Sequence, residues 1–164
     1  MELKPFDKDN EAHVEIFLQL LISYFAELFA DDPDNQVPDN RMPEVLDDII
    51  NELKCGLFWV YFCCLDDKVI GFIMAQIDTP GKSWYKREGW GFIRELFVLP
   101  SHRRNGYASQ MSLFMEDIFS KNNASNVYLT AEDNHLFWKK MGYIESAEID
   151  DFMNQKIYEK KLKS

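Results

Sequence analysis

The stretch LFVLPSHRRNGYASQM, Leu96 to Met111, constrains the fold of this chain more than any other. An apolar run stops at Pro100, two arginines and a glycine follow, and helical spacing begins at once. Ala108, Met111, Met115 and Ile118 fall on one face of a helix expected from about Asn105 to Phe119. The pattern is strand, tight turn, helix. The first amides of such a helix lack carbonyl partners and carry positive potential, which suits an anion. Gly106 removes a Cβ where backbone must come close to a ligand, and Arg103 and Arg104 add charge. The same residues also suit an ordinary connection with solvated arginines, so the local pattern leaves both readings open.

The rest of the chain divides into recognisable pieces. Val14, Phe17, Leu18, Leu21, Phe25 and Leu28 keep helical spacing. ADDPDNQVPDNRMP is a loop, and Pro43 opens a second helix with Val45, Leu46, Ile49, Ile50 and Leu53 on one side. Gly56 ends that helix or follows it. Leu57–Leu65 and Val69–Ile77 read as two strands joined at Asp66-Asp67-Lys68, and Phe92–Val98 as a third. Asn126–Ala131 is a strand, Leu136–Met141 a short helix and Tyr143–Ala147 a strand, with a last strand expected in Lys156–Leu162. This order defines a single α/β (α+β) domain over residues 1–164.

Several classes are excluded. There is no G-x-G-x-x-G, and Gly81-Lys82-Ser83 lacks the first glycine of a P-loop, Gln76 standing in its place. Eighteen basic against 28 acidic side chains give a net charge of −10, which argues against a nucleic-acid partner. Cys55, Cys63 and Cys64 have no metal-ligand spacing, and His13, His102 and His135 are too scattered to bind one. No metal is expected. No run approaches a membrane span, and MELKPFDKDN is not a secretory signal, so a cytoplasmic location is expected.

Three blocks together resemble the GNAT superfamily of acetyl-CoA-dependent N-acetyltransferases. Arg103-Arg104-Asn105-Gly106-Tyr107-Ala108 matches the signature Arg/Gln-x-x-Gly-x-Gly/Ala. Glu95-Leu96-Phe97-Val98-Leu99-Pro100 looks like the E-L-x-V-x-P strand ahead of it, and Leu136–Tyr143 is similar to the later L/F-Y-x-x-x-G-F segment. The resemblance covers roughly residues 57–145; the helix pair over about 10–54 agrees in order only and would cover the acceptor side. It implies a mixed, mostly antiparallel sheet with helices on both faces.

The resemblance also implies roles. Backbone amides of Arg104, Asn105, Gly106, Tyr107, Ala108 and Ser109, with Arg103 at their head, would hold the pyrophosphate of acetyl-CoA. Backbone groups of Leu96, Phe97 and Val98 would pair with the pantetheine arm as an added strand. The site would open where strands 92–98 and 126–131 part. Glu95 matches the glutamate that many members use as general base, with Glu132 or Asp133 as alternatives. Trp138 stands where the family's acid is a tyrosine; an indole N–H donates a hydrogen bond without releasing its proton, so Trp138 would stabilise the departing CoA thiolate or fill the pocket as apolar bulk. His135 or Tyr128 could substitute, although each also suits a structural place. Asn134 is near the expected pantetheine-binding asparagine position, which falls at Ala131.

The acceptor in that family usually enters across the helix pair. Tyr24, Glu27 and Asp31, with Phe25, Phe29 and further aspartates, suit a small cationic amine such as an aminoglycoside or a polyamine. They suit a helix core and a solvated loop equally well. A protein N-terminal or lysine acetyltransferase and a non-catalytic acetyl-CoA sensor are the alternatives. A homodimer is left open, with no surface indicated.

Overall fold

The computed structural model describes residues 1–31, 36–54, 56–80, 87–131, 136–150 and 155–162. The elements are β1 (Glu2–Pro5), α1 (Glu11–Leu28), α2 (Met42–Leu53), β2 (Phe58–Leu65), β3 (Lys68–Ile77), β4 (Gly91–Val98), α3 (Tyr107–Lys121), β5 (Asn126–Ala131), α4 (Leu136–Lys140), β6 (Ile144–Asp150) and β7 (Gln155–Lys161). Seven strands form one sheet in the order β1-β2-β3-β4-β5-β7-β6. Every pairing is antiparallel except β4 with β5.

Local chemistry sets the helix ends. Asn10 accepts from the amides of Ala12 and His13 at 3.0 and 3.3 Å, so α1 begins a turn before its apolar stripe does. Phe17 and Leu21 of that stripe are buried, whereas Leu28, expected on the same face, is 40% exposed because the helix has run past the sheet. Pro43 sits in the first turn of α2, where a missing N–H costs nothing.

The sheet is covered on both faces, as β3 shows by being buried along nearly its whole length. On one face Phe17, Leu21, Met42, Leu46 and Ile49 of α1 and α2 pack on Phe58, Val60, Phe62, Phe72, Met74 and Phe97. On the other, Met111, Met115 and Phe119 of α3 pack on Ile73, Ile93, Val127, Leu129 and Tyr158. Gly91 is needed there, since a Cβ would lie 2.4 Å from the Phe119 ring. Among the described residues no helix is long and apolar enough to cross a membrane.

One core group is poorly satisfied. The hydroxyl of Tyr158 is buried without a hydrogen-bond partner among the described residues. Burying such a group costs about 1–3 kcal/mol. Tyr158→Phe is therefore expected to raise the midpoint of thermal unfolding, and a lowered midpoint in a calorimetric scan would count against this accounting.

Candidate active site

The parallel pair β4–β5 is joined only at Gly91–Val127 and Phe92–Tyr128. Beyond Phe92 the β5-facing edge of β4 pairs with no strand among the described residues. At this point the Phe92 and Tyr128 rings stack at 4.5 Å and 9°. The Tyr128 hydroxyl donates to Asp78 Oδ2 at 2.5 Å, and Gln76 Nε2 donates to Asp78 Oδ1 at 3.1 Å. Tyr128 is thus a buried structural residue at the base of the opening.

A bulge lies just above it. Met74 pairs with Glu95 and Ala75 with Ile93, leaving Arg94 as the extra residue of β4. Two consecutive side chains consequently point to the α1–α2 face. The Arg94 guanidinium donates to Glu52 of α2 and, at 3.3 Å, to Gln76 Oε1, and lies 5.3 Å over the Phe58 ring. Glu95 turns toward α1, where the Tyr24 hydroxyl donates to its Oε2. Its Oε1 has no partner among the described residues. Burial pushes the Glu95 carboxyl up to about 7, against the hydrogen bond from Tyr24 and the charge of Arg94, both of which pull it down.

At the far end of β4 the chain turns through Pro100–His102 into α3. Arg104 and Gly106 both have left-handed backbone, at φ 64° and 78°. No side chain caps α3, and its first helical bond is Gln110 N–H to Gly106 O at 3.2 Å. The amides of Gly106, Tyr107, Ala108 and Ser109 are therefore the open donors at the helix start. A Cβ on Gly106 would meet no described atom within 4 Å. The side chain of Asn105 braces the turn from inside, donating to the carbonyls of His102 and Arg103 at 3.1 Å.

The two arginines separate. Arg104 is exposed at the turn. Arg103 is bound to the protein: Nε donates to Val98 O at 2.8 Å, and its Nη atoms meet both carboxylate oxygens of Glu27 at 2.7 Å. Its guanidinium also lies 5.6 Å over the Phe97 ring. The Arg103 side chain thus ties the end of α1 to the end of β4, while Arg104 has no partner among the described residues.

The expected acceptor residues are also engaged. Tyr24 holds Glu95 and Glu27 holds Arg103, while Asp31 is exposed. Trp138 is buried in the α3-side core, its ring 4.7 Å from Phe137 and 5.2 Å from Tyr143. The Tyr143 hydroxyl donates to Glu116 Oε1 at 3.0 Å, so it is committed to an internal partner. Glu132, Asp133, Asn134 and His135, as well as the loop aspartates Asp32 and Asp34, lie outside the described residues. Sequence reasoning missed the chain Glu52–Arg94–Gln76–Asp78. Its signal was the pair of polar residues closing the otherwise apolar run VIGFIMAQID.

The described residues thus bring together a parallel strand edge, a carboxyl raised toward neutrality beside it and a helix start without a side-chain cap. A profile of the acetyltransferase (GNAT) family matches residues 22–143, and the chain belongs to that family. It is an acetyltransferase with the family's fold. Among solved structures it is similar to the PaiA N-acetyltransferase of Thermoplasma acidophilum in complex with coenzyme A, at 16% identity over 98% of this chain and 99% of that one, TM-score 0.72. It is likewise similar to an aminoglycoside 6'-acetyltransferase type Ii, at 17% identity, 100% and 99% coverage, TM-score 0.73. Tetrahymena GCN5 gives 15% identity, 99% and 97% coverage, TM-score 0.67. At these identities the likeness is one of fold. A search of curated protein sequences returned no match.

Proposed function

We propose that this chain transfers acetyl from acetyl-CoA to the primary amine of a small cationic acceptor, in the cytoplasm, without a metal. The observation that carries this reading is Glu95, a carboxyl pushed to about 7 where β4 and β5 part. The uncapped start of α3 with exposed Arg104 fits a pyrophosphate, and the open edge at Leu96, Phe97 and Val98 fits an extended amide chain. Acetyl-CoA held by these groups would supply the activated thioester.

The remaining chemistry belongs to the protein. An amine with pKa about 10.4 is neutral in about one molecule in 2,500 at pH 7, a cost of roughly 4.6 kcal/mol. Glu95 takes that proton at the free Oε1, directly or through water, and a base with pKa near the working pH does this best. Trp138 is packed as apolar bulk and supplies no proton. None is required from a strong acid, because a thiol has a pKa of about 8.5. A cationic acceptor is supported by the acidic balance of the chain and by Glu95 and Asp31 on the acceptor side. Three similar folds belong to aminoglycoside 6'-acetyltransferases.

The test is release of free CoA thiol from acetyl-CoA across aminoglycosides, polyamines, amino-acid amines and short peptides. Turnover with a small polycation is expected. Turnover with peptides alone would replace the acceptor class, and acetyl-CoA binding with no turnover on any amine would favour a sensor.

A further inference from the structure

Tyr24 is built into the site more firmly than an acceptor contact needs to be. Its ring meets Phe25, Phe72 and Phe97 edge-on, with centroids 5.3, 5.7 and 5.7 Å away. Phe72 and Phe97 come from adjacent strands and are buried, so the ring is set by the sheet as well as by α1. Among the described residues its hydroxyl reaches a single partner, Oε2 of Glu95, 71 residues away in sequence. The bulge at Arg94 completes the arrangement, because it is what turns Glu95 to the α1 side.

We propose that Tyr24 is a positioning residue for Glu95: its fixed phenol holds one carboxylate oxygen and presents the other, Oε1, to the acceptor. This rests on the reading of Glu95 as the base. A glutamate has three rotatable bonds before its carboxylate, and a donor held by three rings selects one arrangement among them. The phenol stays protonated across the working range, because burial and the Glu95 charge both raise its pKa. It therefore acts as a donor and not as a second base. The hydrogen bond favours the charged carboxylate and so opposes the burial that raises it. The other groups acting on Glu95 are few. Arg94 is its neighbour on β4 and is itself paired with Glu52 of α2; Gln76, from β3, does not titrate. The polar residues of α3 lie across the sheet.

The experiment follows the Glu95 carboxyl carbon by NMR in the full-length protein labelled at glutamate, with Glu95→Gln assigning the signal. Tyr24→Phe keeps the ring and its packing. It is expected to move the titration midpoint up by about one pH unit, because only the donor is lost. Installing 3-fluorotyrosine at position 24, a stronger donor of nearly the same shape, is expected to move it down. The acid limb of kcat/KM for acetyl-CoA with the amines of the panel is expected to follow in both cases. A midpoint unchanged in both variants overturns the proposal, even if Tyr24→Phe lowers thermal stability, since that alone is what a packing residue would do. Shifted midpoints with full activity in Glu95→Gln would show the contact to be real but no base to be positioned. The base reading would then fail, and this proposal with it.

Discussion

Gly106→Glu is expected to raise the dissociation constant for CoA at least ~100-fold while leaving the fold in place. The two halves of this result have separate causes. The protein itself tolerates the side chain, because a Cβ at 106 meets no described atom within 4 Å. The left-handed φ of 78° costs an L residue roughly 1–2 kcal/mol, which a domain of this size absorbs. Binding suffers more. A carboxylate one residue before the open amides of α3 would compete for their positive potential. It also repels a pyrophosphate, and a combined loss of roughly 3 kcal/mol corresponds to about a hundredfold. Gly106→Ala separates the contributions, since it carries the backbone strain without charge or length. Calorimetric titration with CoA should rank wild type, then alanine, then a large gap to glutamate. Equal affinity in the glutamate variant would remove the start of α3 as the phosphate site.

Much of this architecture was legible because local pattern and tertiary role agree. The apolar spacing in α2, the apolar runs of β2 and β3 and the Arg-Arg-Asn-Gly turn before α3 each name their element without help from distant residues. β1 was not legible. Its four residues ELKP are few, two of them are charged and the last is proline, and they form a strand because the edge of β2 is available to pair with them. The bulge was hidden for another reason. Nothing in GFIRELFV marks Arg94 as an extra residue, so plain alternation would have sent Arg94 and Glu95 to opposite faces. That single displacement decides which helix Glu95 meets.

The same limit explains the two arginines. As neighbours in a turn they look equivalent, but Arg103 meets Glu27, 76 positions earlier, and Arg104 does not. Tyr24 and Glu27 suggested acceptor contacts because an aromatic and an acidic group together suit a cationic amine. In the fold both have partners whose closeness only the folded sheet creates. Three positions apart, they share one face of α1, so this helix holds the base through one residue and the start of the phosphate turn through the other.

Glu95→Gln should separate function from stability in opposite directions. Loss of a general base typically costs ~10²–10⁴-fold, so kcat/KM is expected to fall by about that much near pH 8. Stability is expected to rise at the same pH. Burial lifts the carboxyl from its ordinary 4.5 to about 7, so the folded state binds the proton more tightly than the unfolded chain does. The stabilisation that goes with the protonated form is complete below pH 4.5 and is lost as pH rises through 7. Above that the folded protein carries a buried charge at a cost of at most about 3 kcal/mol. Glutamine escapes this cost and still accepts the hydrogen bond from Tyr24. Denaturant unfolding should therefore find the variant more stable than wild type at pH 8.5 and indistinguishable from it at pH 4. A loss of activity with no gain in stability at high pH would mean that Glu95 is not held at a cost, and its elevated pKa could not then explain its fitness as a base. Both effects together would mark the carboxyl as a group kept against stability for the sake of the reaction.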